Sequence, residues 1–159
     1  MTRNLDLEQG IKEAIELIKS VYEKPILAAV YGWPDSGKTY LIDRLSDYFE
    51  REGLKVSRGG GGPHDSTFET LRDCPECLSD ILFFHCGWVR DNNNQCWLDA
   101  RAHEDPNILA ETIAGRKVNL NIGIYNPLSY REPLGDYDLV ISNPGSIRKV
   151  TILLELINN

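Results

Sequence analysis

Apolar positions recur along this chain in two rhythms, and the alternation of the two predicts its elements. Ile11, Ala14, Ile15, Ile18, Val21 and Tyr22 follow helical spacing with one apolar face. Asp6 and Gln9 form a capping pair ahead of that run and Pro25 stops it, so a helix is expected over 5–23. Residues 26–31, ILAAVY, are continuously apolar, the pattern of a strand covered on both faces. A second amphipathic helix is expected over 38–51, with Leu41, Leu45, Tyr48 and Phe49 as its stripe and Gly53 as its left-handed cap. A short strand follows over 54–58. Ser66-x-x-Glu69 is a capping box that opens a short helix through Arg72.

Residues 80–86, DILFFHC, read as another buried strand, and 97–103 as a weaker one. Asp105-Pro106 starts a helix that Gly115 ends. Val118, Leu120, Ile122 and Ile124 alternate with polar or small residues, and 138–142, DLVIS, is one more apolar strand. The tail reads either as a helix capped by Ser146 and carrying Ile147, Val150, Leu154 and Ile157, or as a closing strand over 150–156. Strands alternating with helices imply an α/β fold with a parallel sheet. The sequence has no internal repeat and no low-complexity tract; Gly59-Gly60-Gly61-Gly62-Pro63 reads as a flexible loop.

One motif stands above the rest. Gly32-Trp33-Pro34-Asp35-Ser36-Gly37-Lys38-Thr39 fits G-x-x-x-x-G-K-[ST], with an apolar strand before it and an amphipathic helix after it. Glycines let the backbone bend around an anion without a clashing Cβ. Successive amide N–H groups then converge on it, and the helix N-terminus adds partial positive charge. Lys38 is expected to reach the β- and γ-phosphates, and the Thr39 hydroxyl to hold Mg²⁺. The expected nucleotide contacts are Gly32, Asp35, Ser36, Gly37, Lys38, Thr39 and Tyr40. The plainer alternative is a glycine-containing turn that binds nothing.

Over residues 28–56, AAVYGWPDSGKTYLIDRLSDYFEREGLKV, the chain resembles P-loop kinases, above all small uridine-kinase-type proteins. The likeness extends more weakly over 79–90 and 123–143. It implies a three-layer P-loop NTPase fold: one nucleotide-binding domain over 1–159, a mostly parallel central sheet, and an N-terminal helix ahead of it. It also implies ATP (or GTP) and Mg²⁺ as cofactors, a small hydroxylated acceptor such as a nucleoside, and Asn143 near the nucleotide base. Residues 28–56 are similar as well to the GTP-binding P-loop accessory proteins of molybdopterin–guanine dinucleotide synthesis. In those proteins the strand matching DYDLVI comes earlier, and this order favours the kinase-like resemblance.

The chain departs from the kinase pattern where the acid is expected. The position that the family fills with a carboxylate at the end of the third strand falls on His85. The strand ends offer Arg58, His85, Cys86, Asn126 and Asn143, none acidic, whereas Asp80, Asp136 and Asp138 begin their strands and so belong to the opposite edge. Asp65, on the glycine-rich loop, is the candidate base, with Asp91 behind it; His85 is a second candidate because imidazole titrates near neutrality. With Lys38, Asp65 and His85 form the expected catalytic set. Without a working acid the chain is expected to bind nucleotide without rapid turnover. Arg90 and Arg131 are candidate phosphate ligands or surface arginines. Trp33 and Trp88 suit either an acceptor pocket or plain packing, and Trp97 is read the same way.

Cys74-Pro75-Glu76-Cys77 lacks a second knuckle, so packing thiols are expected rather than zinc. Lys and Arg number 17 against 24 Asp and Glu, a net charge of −7, which argues against nucleic-acid or membrane partners. With 159 residues, 42% hydrophobic and 26% charged, the chain can bury a core without disulfide or metal. The first residues lack the apolar core of a signal peptide, so a cytoplasmic location is expected. The apolar face of the first helix suits either the sheet or a partner subunit, which makes a homodimer one expectation.

Overall fold

The computed structural model describes residues 4–32, 36–59, 79–86, 88–90, 96–98, 107, 110, 111, 114–128 and 136–145. In chain order the elements are β1 (Asn4–Asp6), α1 (Leu7–Lys19), β2 (Ile26–Tyr31), α2 (Lys38–Arg51), β3 (Val56–Gly59), β4 (Ile81–Cys86), β5 (Trp88–Arg90), β6 (Cys96–Leu98), β7 (Leu120–Tyr125) and β8 (Leu139–Ser142). Residues 107, 110, 111 and 114 are also helical, and the Gly115 N–H closes that turn on the Glu111 carbonyl at 2.9 Å.

Six strands form one sheet in the order β1-β8-β7-β2-β4-β3, and every pairing in it is parallel. The continuous apolar run predicted for the centre is β2, hydrogen-bonded to β4 on one side and β7 on the other. Its alternation feeds two cores. Ile26, Ala28 and Val30 join Ile81 and Phe83 of β4 against Ile11, Ala14 and Ile18 of α1 and Leu41, Ile42, Leu45 and Phe49 of α2. Leu27 and Ala29 join Leu82 and Phe84 on the opposite face, where Ala110, Ala114 and Val118 cover them. Each large side chain buried this way contributes about 1.5–3 kcal/mol, so both faces of β2 hold the sheet in place. Tyr125, Tyr137 and Val140 form a smaller cluster beside Tyr31.

The N-terminal helix is Leu7–Lys19, not 5–23. It cannot start earlier because the Asp6 carboxylate accepts the Gln9 N–H at 2.9 Å and so caps it. It ends when the Ser20 hydroxyl turns back onto the Leu17 carbonyl at 2.6 Å. The residues before it do not lead straight into a helix: Asn4–Asp6 pair in parallel with β8, with Leu5 beside Ile141 and packed on the core. The sheet therefore has an edge strand ahead of the first helix. The strand expected over 54–58 is Val56–Gly59, because Leu54 and Lys55 still close the C-terminus of α2 and the entry to the sheet. Gly59, read as loop, is the last residue of β3. The weak strand over 97–103 is Cys96–Leu98, paired antiparallel with Trp88–Arg90 in a separate small sheet. The Ser66–Arg72 helix, the Cys74/Cys77 pair, residues 60–63 and the tail from 146 lie outside the described residues.

Among the described residues no helix is long and apolar enough to cross a membrane. The two helices also clasp one another. Arg44 of α2 grips both carboxylate oxygens of Glu8 at 3.2 Å each and the Tyr40 hydroxyl at 2.7 Å. Glu8 first, then Tyr40, raises the Arg44 guanidinium above its usual range.

Candidate functional site

The topology turns at the C-terminal end of β2. From there the chain runs through α2 to β3 and β4 on one flank, and β7 and β8 occupy the other. Open parallel sheets bind ligands at such a switch point. The loop predicted to cradle phosphate leaves the sheet at this place. Gly32 follows β2 directly, and α2 begins on Lys38.

The described part of the loop is tight. A Cβ on Gly32 would stand 2.5 Å from both the Ile124 carbonyl oxygen and Ser36 Oγ, so only glycine fits there. Gly37 caps α2 with φ at +100°, the left-handed region that favours glycine. Lys38 is buried and folds back to donate from Nζ to the Gly32 carbonyl at 2.5 Å. Ser36 is 1% exposed and its Oγ has no hydrogen-bond partner among the described residues, an uncommon state for a buried hydroxyl. Thr39, by contrast, is exposed at the start of α2. A glycine-lined turn, a cation and an orphaned hydroxyl at a helix N-terminus form a donor set that suits an anion.

Beside the loop opens a cleft of about 360 Å³, lined by Thr39, Ile42 and Asp43 of α2, Arg58 and Gly59 of β3, and His85 of β4. That is near the lower end of ligand pockets, so it suits a small group rather than a whole nucleotide. His85 stands in register with Val30 and follows Ile81 and Phe83 on the face toward α2. Asp43 is a carboxylate that sequence reasoning did not single out. It reaches the cleft from the helix, one turn beyond Thr39, and pairs with Arg58 at the end of β3. Its signal was present as Thr39-x-x-x-Asp43, an i,i+4 pair on one helix face. The acids expected from the sequence, Asp65 and Asp91, lie on loops after strands, whereas Asp43 lies on a helix.

Lys38, Thr39 and His85 come together around the loop and cleft. Tyr40 is engaged by Arg44. Asn143 reaches the loop and donates from Nδ2 to the Ser36 carbonyl at 3.1 Å. Asn126 caps its own turn, accepting the Leu128 N–H at 3.0 Å. Asp35, Asp65, Asp91, Arg131 and Trp33 lie outside the described residues, as do the side chains of Arg90, Trp88 and Trp97. Asp80 and Asp138 sit at the opposite edge, as expected. Asp80 accepts the Lys55 N–H at 2.8 Å and pairs with Lys24 at 3.5 Å; that backbone bond first, with Lys24, holds its carboxyl below the usual range.

Compared with known family models, curated proteins and solved structures, this chain matches none. The functional reading therefore rests on the loop and the cleft themselves. Among the described residues no group of three or more His, Cys, Asp or Glu could hold a metal ion.

Proposed function

We propose that this chain is a cytoplasmic P-loop phosphotransferase that moves the γ-phosphate of ATP (or GTP) to a small hydroxylated acceptor, a uridine-kinase-like activity on a nucleoside or similar molecule. The observation that carries this reading is the juxtaposition of the phosphate loop with a cleft holding Thr39, Asp43, Arg58 and His85. A binding loop alone needs no second pocket at its side; a transferase does.

In this reading the amides of residues 36–39 and Lys38 grip the β- and γ-phosphates, with Lys38 leaving the Gly32 carbonyl for the phosphate. Bound Mg²⁺, held by the Thr39 hydroxyl, supplies further neutralisation of the transferring charge. The acceptor lies in the cleft. Its hydroxyl oxygen bonds to the γ-phosphorus as the bond to the β,γ-bridging oxygen breaks, and Asp43 takes the hydroxyl proton. Arg58 orients that carboxylate. His85 lines the same cleft and is the alternative base, with Asp65 behind it.

The test is γ-labelled ATP with a panel of nucleosides and small polyols, run alongside thermal shifts with ATP, GTP and Mg²⁺. A melting temperature raised by nucleotide together with label on one acceptor supports the reading. Asp43→Asn is expected to cut transfer by about 100-fold or more while leaving the thermal shift in place, the range for a lost general base. A second reading, a nucleotide-binding accessory or sensor, is favoured by His85 standing where an acid ends the strand in kinases and by Asp43 being already paired. Its signature is a full thermal shift with no transfer to any acceptor.

A further inference from the structure

Asn143 sits immediately after β8 and is 7% exposed. Its backbone N–H donates to the Tyr125 carbonyl at 2.8 Å, which fixes it to the end of β7. Its Oδ1 accepts the Gly145 N–H at 3.1 Å, an Asx turn. Its Nδ2 crosses to the Ser36 carbonyl at 3.1 Å, bridging 107 residues of sequence. The same amide lies against Gly37, where any Cβ would collide with Nδ2. Ser36 Oγ is buried without a partner among the described residues.

A peptide unit is planar and trans, so its C=O and the following N–H point in opposite directions. Holding the Ser36 carbonyl on Asn143 therefore aims the Gly37 N–H away from Asn143. We propose that Asn143 is a positioning residue for the phosphate loop, presetting its amides for a polyphosphate, and not a reader of the nucleotide base. This rests on the nucleotide-binding reading above. It adds that the end of β8 and the turn at 143–145 set the geometry of a loop far away in sequence. Preset donors bind an anion without ordering the loop first, which is where their affinity gain arises.

Asn143→Asp keeps the Gly145 acceptor and replaces the Ser36 donor by an oxygen that repels the carbonyl. Asn143→Ala removes both bonds and serves if the first variant fails to fold. Titration calorimetry with ATP, GTP and adenosine, and hydrogen exchange over 36–40 in the nucleotide-free protein, read the outcome. The expectation is at least 10-fold weaker ATP binding, an unchanged ATP-to-GTP ratio, unchanged adenosine affinity, and faster exchange over 36–40. Unchanged exchange over 36–40 in the folded variants overturns the proposal, and so does a shifted ATP-to-GTP ratio. An equal loss for adenosine and ATP also overturns it, since that marks a merely structural role. Should the unsubstituted protein bind no triphosphate, the nucleotide reading falls by itself, and the exchange comparison still decides whether Asn143 holds the loop.

Discussion

At the N-terminal ends of the strands, Asp80, Asn119 and Asp138 accept the N–H groups of Lys55, Leu27 and Asn121 at 2.7–2.8 Å. Arg116 adds bonds to Asn119 and to the Pro25 carbonyl and an ion pair with Glu23. At the C-terminal ends of the same strands stand Gly32, Gly37, a buried Lys38, a Ser36 hydroxyl without a partner among the described residues and an open cleft. The first edge spends its polar side chains on stitching neighbouring strands. The second keeps donors and cations gathered around a space. Acidic residues close the one edge, whereas among the described residues the carboxylate lining the cleft of the other, Asp43, arrives from a helix. The contrast is one of chemistry and not of depth alone: at one edge the side chains tie neighbouring strands together, and at the other Lys38 and Asn143 bond to the loop backbone beside a cleft.

The sharpest way to break this contrast is at Lys38. Lys38→Ala is expected to weaken triphosphate binding by about 100-fold or more, within the 2–5 kcal/mol lost when one partner of a buried charge contact is cut. Thermal shift against ATP concentration checks it, since binding to the native state alone raises the melting temperature. Unchanged affinity would show that the C-terminal edge is as inert as the other.

Gly37→Ala comes next. The left-handed conformation costs an alanine roughly 1–2 kcal/mol, and the collision with Asn143 adds to it. Urea denaturation is expected to show that loss. Combined with Asn143→Ala, part of it should be recovered, a non-additivity that residues in contact display.

Asp80→Ala probes the opposite edge and is expected to cost about 0.5–1.5 kcal/mol, the net worth of its bond to the exposed Lys55 N–H, with triphosphate affinity unchanged. Its pH dependence has a definite sign. The folded-state carboxyl is held below its usual range, so its stabilisation is full above the unfolded-state value, about pH 4. It is lost as the pH falls through the lower folded value. The gap between the unsubstituted protein and the variant in denaturation midpoint should therefore narrow in acid. The smallest effect belongs to Arg44→Ala, on the exposed clasp between α1 and α2. Under about 1 kcal/mol is expected from so exposed an ion pair, measured by thermal melting and reduced further by salt.

Much of the fold was legible because its signals are local. The uninterrupted run ILAAVY could only be a strand covered twice, and it is the centre of the sheet. The stripes on α1 and α2 followed their period, and the loop motif came with its flanking strand and helix. Two features escaped for one reason. Three residues, Asn4–Asp6, carry no period of their own and become a strand only because β8 offers a free edge. Asp43 looked like any exposed helix acid until β3 brought Arg58 beside it.

The sequence by itself determined the central strand, the stripes of α1 and α2 and the phosphate-loop motif, because propensity, capping and hydrophobic period act over a few residues. Tertiary structure alone decided the strand order, the edge strand ahead of α1, the Asp43–Arg58 pairing and the bond from Asn143 to Ser36. Each of these joins groups that are distant along the chain, and their energies exist only once the sheet has closed the distance between them.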